Sequence, residues 1–339
     1  MYIKPNQHPD SIWTWTSNKR KGKVSLWLPY LQSIEKLPKG KGDRYRFVFN
    51  GGEVTAHLKE IEFLMIYGRS GSLPIEFLQC LSDYKIPLMI HQRNMDRPYV
   101  FYPTGGSTTK DVLSAQIKAR DNLIKRTYIA RTLVRNRLRR FSNLIKVSNA
   151  EFSRLSKARK LSDIRIIEAR NTKRYWRAYY SGLGVPKLTR RDRTHPINTG
   201  LNAGSFFLYG ILLRWVLFHK LSPIHGYLHE PTNYPSLCYD LIEPYRYLIE
   251  QSVQEIYVSD LDNKAVTGHL INQLKDKLQQ AIYVPATRQE VARKNLLHGI
   301  VLALRSYLLG ESKRLILPVE GEKKGGRPVN LSYRLPGAI

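Results

Sequence analysis

The feature that most constrains the fold of this chain is a change of hydrophobic period near residue 103. Before it, residues 23–29 (KVSLWLP), 44–50 (RYRFVFN) and 60–67 (EIEFLMIY) form short apolar or alternating runs, the pattern of half-buried and buried strands. Asn50-Gly51-Gly52 is a hairpin signal. Residues 86–90 and 97–102 are expected to pair as strands across 92–96, and 74–82 reads as a short helix. After Asp111, apolar Leu113, Ile117, Ile124, Tyr128, Val134, Leu138, Phe141 and Ile145 follow helical spacing. Further helices are expected near 163–181, 198–219, 236–251, 265–281 and 288–309, the last opened by a capping box of Thr287 and Glu290.

These periods predict an α+β chain. A β-rich N-terminal domain over 1–102 is followed by a linker at 103–110 (PTGGSTTK) and a larger all-α-helical domain over 111–310. The tail, 311–339, mixes one apolar run (315–319) with Gly, Lys and Arg, and is expected to be mobile or ordered only by a partner. No internal repeat is visible.

The charge balance narrows the partner. Lys and Arg number 55 against 27 Asp and Glu, a formal net charge of +28, which favours a polyanion. Hydrophobic residues at 42% support a buried core rather than global disorder. The apolar run 205–218 is interrupted by Arg214 and is short for a membrane span. Met1 is followed by Tyr, Lys, Pro and Asn rather than by a charged-then-apolar leader. Cys80 and Cys238 are far apart in apolar surroundings, small core residues rather than a disulfide frame. The expected compartment is the cytoplasm.

Within the helical half, oxygen and nitrogen donors gather. Asp240 and Glu243 are one turn apart, so their carboxylates share a face and repel unless a cation lies between them or Arg246, one turn on, neutralises them. His229 lies upstream and Glu168 sits in IIEARNTKRYW. Together they make a candidate cage for a divalent cation. His225 and His229 are four apart, but Gly226 interrupts the helix and no HExxH pattern is present, so zinc is disfavoured. Arg170, Lys173, Arg174 and Arg177 crowd the Glu168 segment, with Tyr175 and Trp176 interleaved as candidates for base stacking. Asn198 and Asn202, i and i+4 behind Pro196, either bond the cage ligands and phosphate oxygens or serve as caps and interhelical bonds in a core.

As an ordered set these residues resemble the Cas1 family, the integrases of CRISPR adaptation. The resemblance rests on Glu168-Ala169 with Tyr175-Trp176; on His195-Pro196, Asn198 and Leu201-Asn202; on Pro223, Gly226-Tyr227-Leu228-His229; and on Ser236-Leu237 with 240–246 (DLIEPYR). It covers roughly 163–246. It implies an N-terminal β domain that pairs two protomers and a helical domain that houses a metal site. The implied metal ligands are Glu168, His229 and Glu243, with Asp240 a catalytic helper or alternate ligand and Mg²⁺ or Mn²⁺ the ion. Arg170, Lys173, Arg174, Arg177, Arg190, Arg191 and Arg246, with Asn198 and Asn202, are the expected DNA contacts. The implied partners are double-stranded DNA (spacer and CRISPR repeat), a second copy of the chain, and Cas2 in a higher-order complex. One departure from the family pattern is His195, where Asp usually precedes the proline.

Two other readings compete with a spacer integrase: a Cas1-like transposase acting on its own element ends, and a non-enzymatic nucleic-acid scaffold whose acids are structural. The first would recognise inverted repeats, and the second would bind DNA indifferently to Mn²⁺.

Overall fold

A computed structural model of the chain describes residues 2–5, 24–38, 43–92, 98–103, 111–258, 266–323 and 331–337. The described residues form a strand-rich N-terminal region followed by a mostly helical one. The expected linker lies, apart from Pro103, outside the described residues, as do Lys23, Arg97 and most of the 92–96 loop. Two compact units are distinguished: Met1–Gly106 with Arg193–Phe218 and Glu255–Lys275, and Ser107–Asp192 with His219–Gln254 and Asp276–Ile339. The first unit thus takes up two stretches that the period change alone assigns to the helical half.

In unit 1, strands β1 (Tyr2–Pro5), β3 (Leu31–Lys36), β4 (Arg44–Phe49) and β5 (Gly52–His57) form an antiparallel sheet of order β1-β5-β4-β3. Phe49 pairs with Gly52, so Asn50-Gly51 is the expected two-residue turn. A second sheet has order β2-β6-β7-β8, built from β2 (Val24–Pro29), β6 (Ile61–Tyr67), β7 (Leu88–His91) and β8 (Tyr99–Phe101). Its first three strands run parallel, and β8 is antiparallel to β7. Helix α1 (Ile75–Asp83) links β6 to β7. Leu26, Leu28, Leu64, Ile66 and Leu88 of this sheet share one core with Phe47 and Val54 of the other and with Phe77 and Leu81 of α1.

Strand β6 is buried on both faces, as parallel strands are when both faces are covered. Its second face meets α6 (Pro196–Phe218): Phe63 packs edge-on against Phe207, and Arg214 donates to the backbone carbonyls of Glu62 (2.6 Å) and Lys85 (3.2 Å). By length and composition α6 could cross a membrane, because its first turns extend the apolar run noted above. Yet 78% of its most apolar window is buried, and it is the core helix of unit 1.

Unit 2 carries α2 (Val112–Asp121), α3 (Leu123–Arg140), α4 (Asn149–Lys157), α5 (Leu161–Gly182), α7 (Ser236–Ile242) and α10 (Asn295–Leu308). A 3-10 turn at Glu243–Tyr245 separates α7 from α8 (Tyr247–Val258) where one helix over 236–251 was expected, because Pro244 removes a backbone donor there. Asp111 and Asn122 cap α2 and α3, their side chains accepting from the N–H groups of Ser114 and Lys125, 3.0 Å each. Ile124, expected on the buried stripe, is 79% exposed, while Arg137 of the same helix is buried.

The capping box at Thr287 and Glu290 is not formed. After α9 (Val266–Gln279), residues Ala281–Val284 and Gln289–Ala292 form a hairpin, β9 and β10, and α10 starts only at Asn295. IYV and EVA are period-2 segments, and Pro285 opens a turn in which Arg288 takes a positive φ of 55°. The tail also departs from expectation. Leu315, Leu317, Tyr333 and Leu335 are buried, and Gln289 exchanges both amide bonds with the backbone of Leu335 (2.8 and 2.9 Å). Its alternate apolar side chains supply the burial that composition concealed.

Gly210 of α6 is needed for close approach. A Cβ there would lie 1.9 Å from Phe63 Cζ. Gly210→Ala is expected to destabilise the protein by about 1–3 kcal/mol through overpacking, seen as a lower melting temperature, and Phe63→Leu in the same chain should recover part of the loss. An unchanged melting temperature in Gly210→Ala would contradict this packing.

Candidate metal centre

The donors Glu168, His229, Asp240 and Glu243 all lie in unit 2, and the local chain explains where each one stands. Asp240 is fully buried on α7. Its Oδ2 accepts from the N–H groups of Tyr227 (2.5 Å) and Leu228 (2.9 Å), and its Oδ1 from the His229 N–H (3.1 Å) and His229 Nδ1 (2.6 Å). One carboxylate therefore folds the 226–229 backbone around itself and fixes an imidazole. Gly226 allows this approach: a Cβ there would lie 2.9 Å from Asp240 Oδ2 and 2.8 Å from the His229 carbonyl oxygen. Ser236 completes the staple, its hydroxyl accepting from Gly226 N–H (2.9 Å) and donating to Ile224 O (2.8 Å).

The same loop is gripped from outside by side chains that charge alone assigns to a polyanion surface. Arg120 donates to Gly226 O (3.1 Å) and Glu230 O (2.6 Å), Arg126 to Tyr227 O (3.2 Å), and Arg165 to Leu228 O (2.5 and 3.1 Å). Glu230 pairs with both Arg126 (3.0 Å) and Arg165 (2.7 Å). Gln116, fully buried, bonds the backbone of Ser222 and His225. Much of the basic surface nearest the site thus holds the His229 loop in place. Arg131 and Arg135 likewise bond Ser156, at its carbonyl and hydroxyl.

Glu243 opens the 3-10 turn with its side chain only 12% exposed. Arg246 Nη1 donates to its Oε1 (2.7 Å), and Arg137 Nε stands 3.4 Å from its Oε2. Arg137 is the residue that sequence reading missed. Its fork grips Glu250 at 3.1 and 2.5 Å, its guanidinium lies 4.7 Å from the Phe141 ring, and its side chain is 3% exposed. Tyr175 donates to Glu250 Oε2 and Tyr179 to the Glu250 backbone carbonyl, 2.7 Å each. The only signal for this network in the sequence is an arginine, Arg137, at helical spacing with Val134, Leu138 and Phe141.

Glu168 sits on α5, partly buried, with Thr172 Oγ1 donating to its Oε1 at 2.8 Å. Burial raises its pKa, and repulsion from Glu243 adds to the rise, against Thr172, Arg137 and His229. Burial also works against a charged Glu243, yet Arg246, Arg137 and His229 hold its pKa below the usual carboxylate value. For His229, burial opposes protonation, but the Asp240 hydrogen bond and charge, with Glu243 and Glu168, more than offset it and raise the pKa. The three groups therefore feel one another's charge. Among the described residues, though, no three His, Cys, Asp or Glu groups stand close enough to form a closed cage.

Other expected site residues separate. Tyr175 is 4% exposed, and its hydroxyl is committed to Glu250, so it is a core ring rather than a base-stacking platform. Trp176 is half-buried, stacked on Tyr180 (5.6 Å) with Arg190 over its ring at 5.4 Å. Lys173, Arg174, Arg177 and Arg191 are exposed, while Arg170 pairs with Glu151 at 3.0 Å. Asn198 and Asn202 lie on α6 in unit 1, and Asn198 is fully buried, which matches its core reading and removes it from direct phosphate contact.

Asp240→Asn removes the group that sustains the imidazolium, so the His229 pKa is expected to fall, as read by NMR titration of its ring protons. The sign follows from linkage: a raised folded pKa stabilises fully below the unfolded histidine value of about 6.5 and fades as pH rises through the folded value. The stability deficit of the variant from this source should be largest on the acidic side. An unchanged or higher His229 pKa would contradict the anchor role.

The family model described as "CRISPR associated protein Cas1" matches residues 39–260. A CRISPR-associated endonuclease Cas1 from Clostridium perfringens is 25% identical over 317 residues, covering 83% of this chain and 96% of that protein. The solved structure of a Cas1 protein from Thermotoga maritima matches with a TM-score of 0.73 at 20% identity, covering 89% of this chain and all of that one. A casposase bound to integration product matches with the same TM-score, 0.73, at 19% identity, covering 86% of this chain and 92% of that one. The two structures share this fold, and the family match spans well over half the sequence: the chain belongs to the Cas1 family of CRISPR-associated proteins.

Proposed function

We propose that this protein is a divalent-metal-dependent DNA integrase and endonuclease of CRISPR adaptation, joining spacer 3′-hydroxyl ends to the repeat by transesterification. One observation carries the reading: Glu168, Glu243 and His229 are electrostatically coupled in a partly buried site, and the imidazole is oriented through Nδ1 by a buried aspartate. That bond leaves Nε2 as the nitrogen for a ligand, the carboxylate–histidine arrangement found behind metal-bound imidazoles.

The donor chemistry fits the group the family implies. Two carboxylates and one imidazole suit Mg²⁺ or Mn²⁺, with nitrogen tilting the preference toward Mn²⁺. A cation would also relieve the repulsion that raises Glu168. Glu168, His229 and Glu243 would hold it, and Asp240 positions His229 rather than ligating, since both its oxygens are taken by the 227–229 loop. When bound, the ion polarises a phosphoryl oxygen and lowers the pKa of the attacking hydroxyl. The protein's own contribution is placement. The arginine-held loop fixes His229, Arg137 orients Glu243 from the core side, and exposed Lys173, Arg174, Arg177 and Arg191 draw in the phosphate backbone. Double-stranded DNA, a second copy of the chain and Cas2 are the proposed partners, in the cytoplasm.

Glu168→Ala is expected to lower strand transfer with Mg²⁺ or Mn²⁺ by about 10³-fold or more, about 4 kcal/mol of barrier, while DNA affinity in fluorescence anisotropy is kept. Joining by the variant at the wild-type rate would overturn the proposal. The casposase likeness keeps a Cas1-like transposase as the second reading. Joining to a repeat-containing plasmid supports the adaptation role, and joining confined to inverted-repeat element ends supports the transposase.

A further inference from the structure

Both oxygens of Glu243 face guanidinium groups, and the two arginines are held very differently. Arg137 is 3% exposed, forks onto Glu250 and lies over Phe141, so it is fixed by the core. It is also the more distant, at 3.4 Å from Oε2. Arg246 makes the shorter contact, 2.7 Å to Oε1, from the next helical turn, and its side chain is 24% exposed. It also feels the charge of Arg190: burial lowers the Arg190 pKa and the Arg246 charge lowers it further, while Tyr180, by charge and hydrogen bond, and Glu250 pull it back up. Arg190 in turn lies over the half-buried Trp176 ring. A pair of mutually repelling guanidinia, one reaching solvent, is a receptor for a phosphate.

We propose that Arg246 is a phosphate-operated latch on Glu243. Without nucleic acid, Arg246 occupies Oε1 and competes with a cation for that oxygen. A backbone phosphate of bound DNA draws the guanidinium to itself and to Arg190, and releases Oε1 to the cation. Arg137 stays in place and keeps the carboxylate oriented. DNA and divalent cation therefore bind cooperatively, and the site is completed only on its substrate. Arg246 acts here as a positioning residue, and the inference rests on the reading of Glu168, His229 and Glu243 as ligands.

Thermodynamic reciprocity makes the latch measurable without turnover: if DNA tightens Mn²⁺ binding, Mn²⁺ tightens DNA binding by the same factor. The full chain is titrated with Mn²⁺ alone, followed by the electron paramagnetic resonance signal of the free ion. Separately, the affinity for a short double-stranded DNA is read by fluorescence anisotropy with and without Mn²⁺ at constant ionic strength. For the wild type, Mn²⁺ is expected to tighten DNA binding about tenfold, within the usual range of such couplings. In Arg246→Gln, Mn²⁺ alone should bind more tightly than to the wild type, and the coupling to DNA should vanish. Removing one positive charge would by itself raise Mn²⁺ affinity, so the coupling decides. A coupling in Arg246→Gln equal to that of the wild type, or none in the wild type, overturns the latch. Glu168→Ala separates the two layers of the argument. If it binds Mn²⁺ as the wild type does, the ligand assignment has failed. If it loses Mn²⁺ while Arg246→Gln keeps the full coupling, the latch alone has failed.

Discussion

A single buried guanidinium organises the helical unit. Arg137 on α3 reaches Glu250 of α8 and Glu243 of the 3-10 turn, while Tyr175 and Tyr179 of α5 close around Glu250. Taking such a charge out of water costs several kcal/mol, and removing one partner of a buried pair costs about 3–5 kcal/mol. The network therefore forms as a whole, with every acceptor in register. It ties three helical segments and the turn together where Glu168 and Glu243 come to feel each other. The acid proposed to hold the cation, Glu243, stands at the rim of an ion cluster that serves the fold.

The second organising element is Asp240. A buried carboxylate that accepts three backbone N–H groups and an imidazole converts an irregular segment into a fixed platform. Arg120, Arg126 and Arg165 hold the same platform from the outside through carbonyl oxygens and Glu230. A loop of this kind has no regular hydrogen-bond ladder, so its backbone groups must find side chains. Here the N–H groups of residues 227–229 find Asp240, and the carbonyls of 226–228 and 230 find arginine. The positive excess of the chain is thus partly internal scaffolding, and only part of it is left for a polyanion.

These two elements mark what the sequence discloses and what it conceals. The period change near 103, the Asn50-Gly51 turn and the long stripes of α5 and α6 are local patterns, and they appear in the structure close to where they are expected. Glu168, His229, Asp240 and Glu243 were readable as an ordered set because each sits in a short, dense motif. The burial of Arg137 and Tyr175 is not legible in the sequence, since burial of a charge or a phenol depends on Glu250, more than 70 positions away. The β9–β10 hairpin was hidden by its flanking helices, and Thr287 with Glu290 imitates a helix start in a segment whose Pro285 turns the chain instead. The tail's burial rests on alternate apolar side chains among many charges, a pattern that composition averages away.

The central claim is that one divalent cation is held by Glu168, His229 Nε2 and Glu243. The most direct measurement is an anomalous difference map from crystals of the protein grown with Mn²⁺ and a short DNA duplex. The account predicts a single strong Mn²⁺ peak within bonding distance of all three side chains, with Asp240 still bonded to His229 Nδ1. A peak elsewhere in the molecule, or none at these residues while DNA is bound, would contradict it.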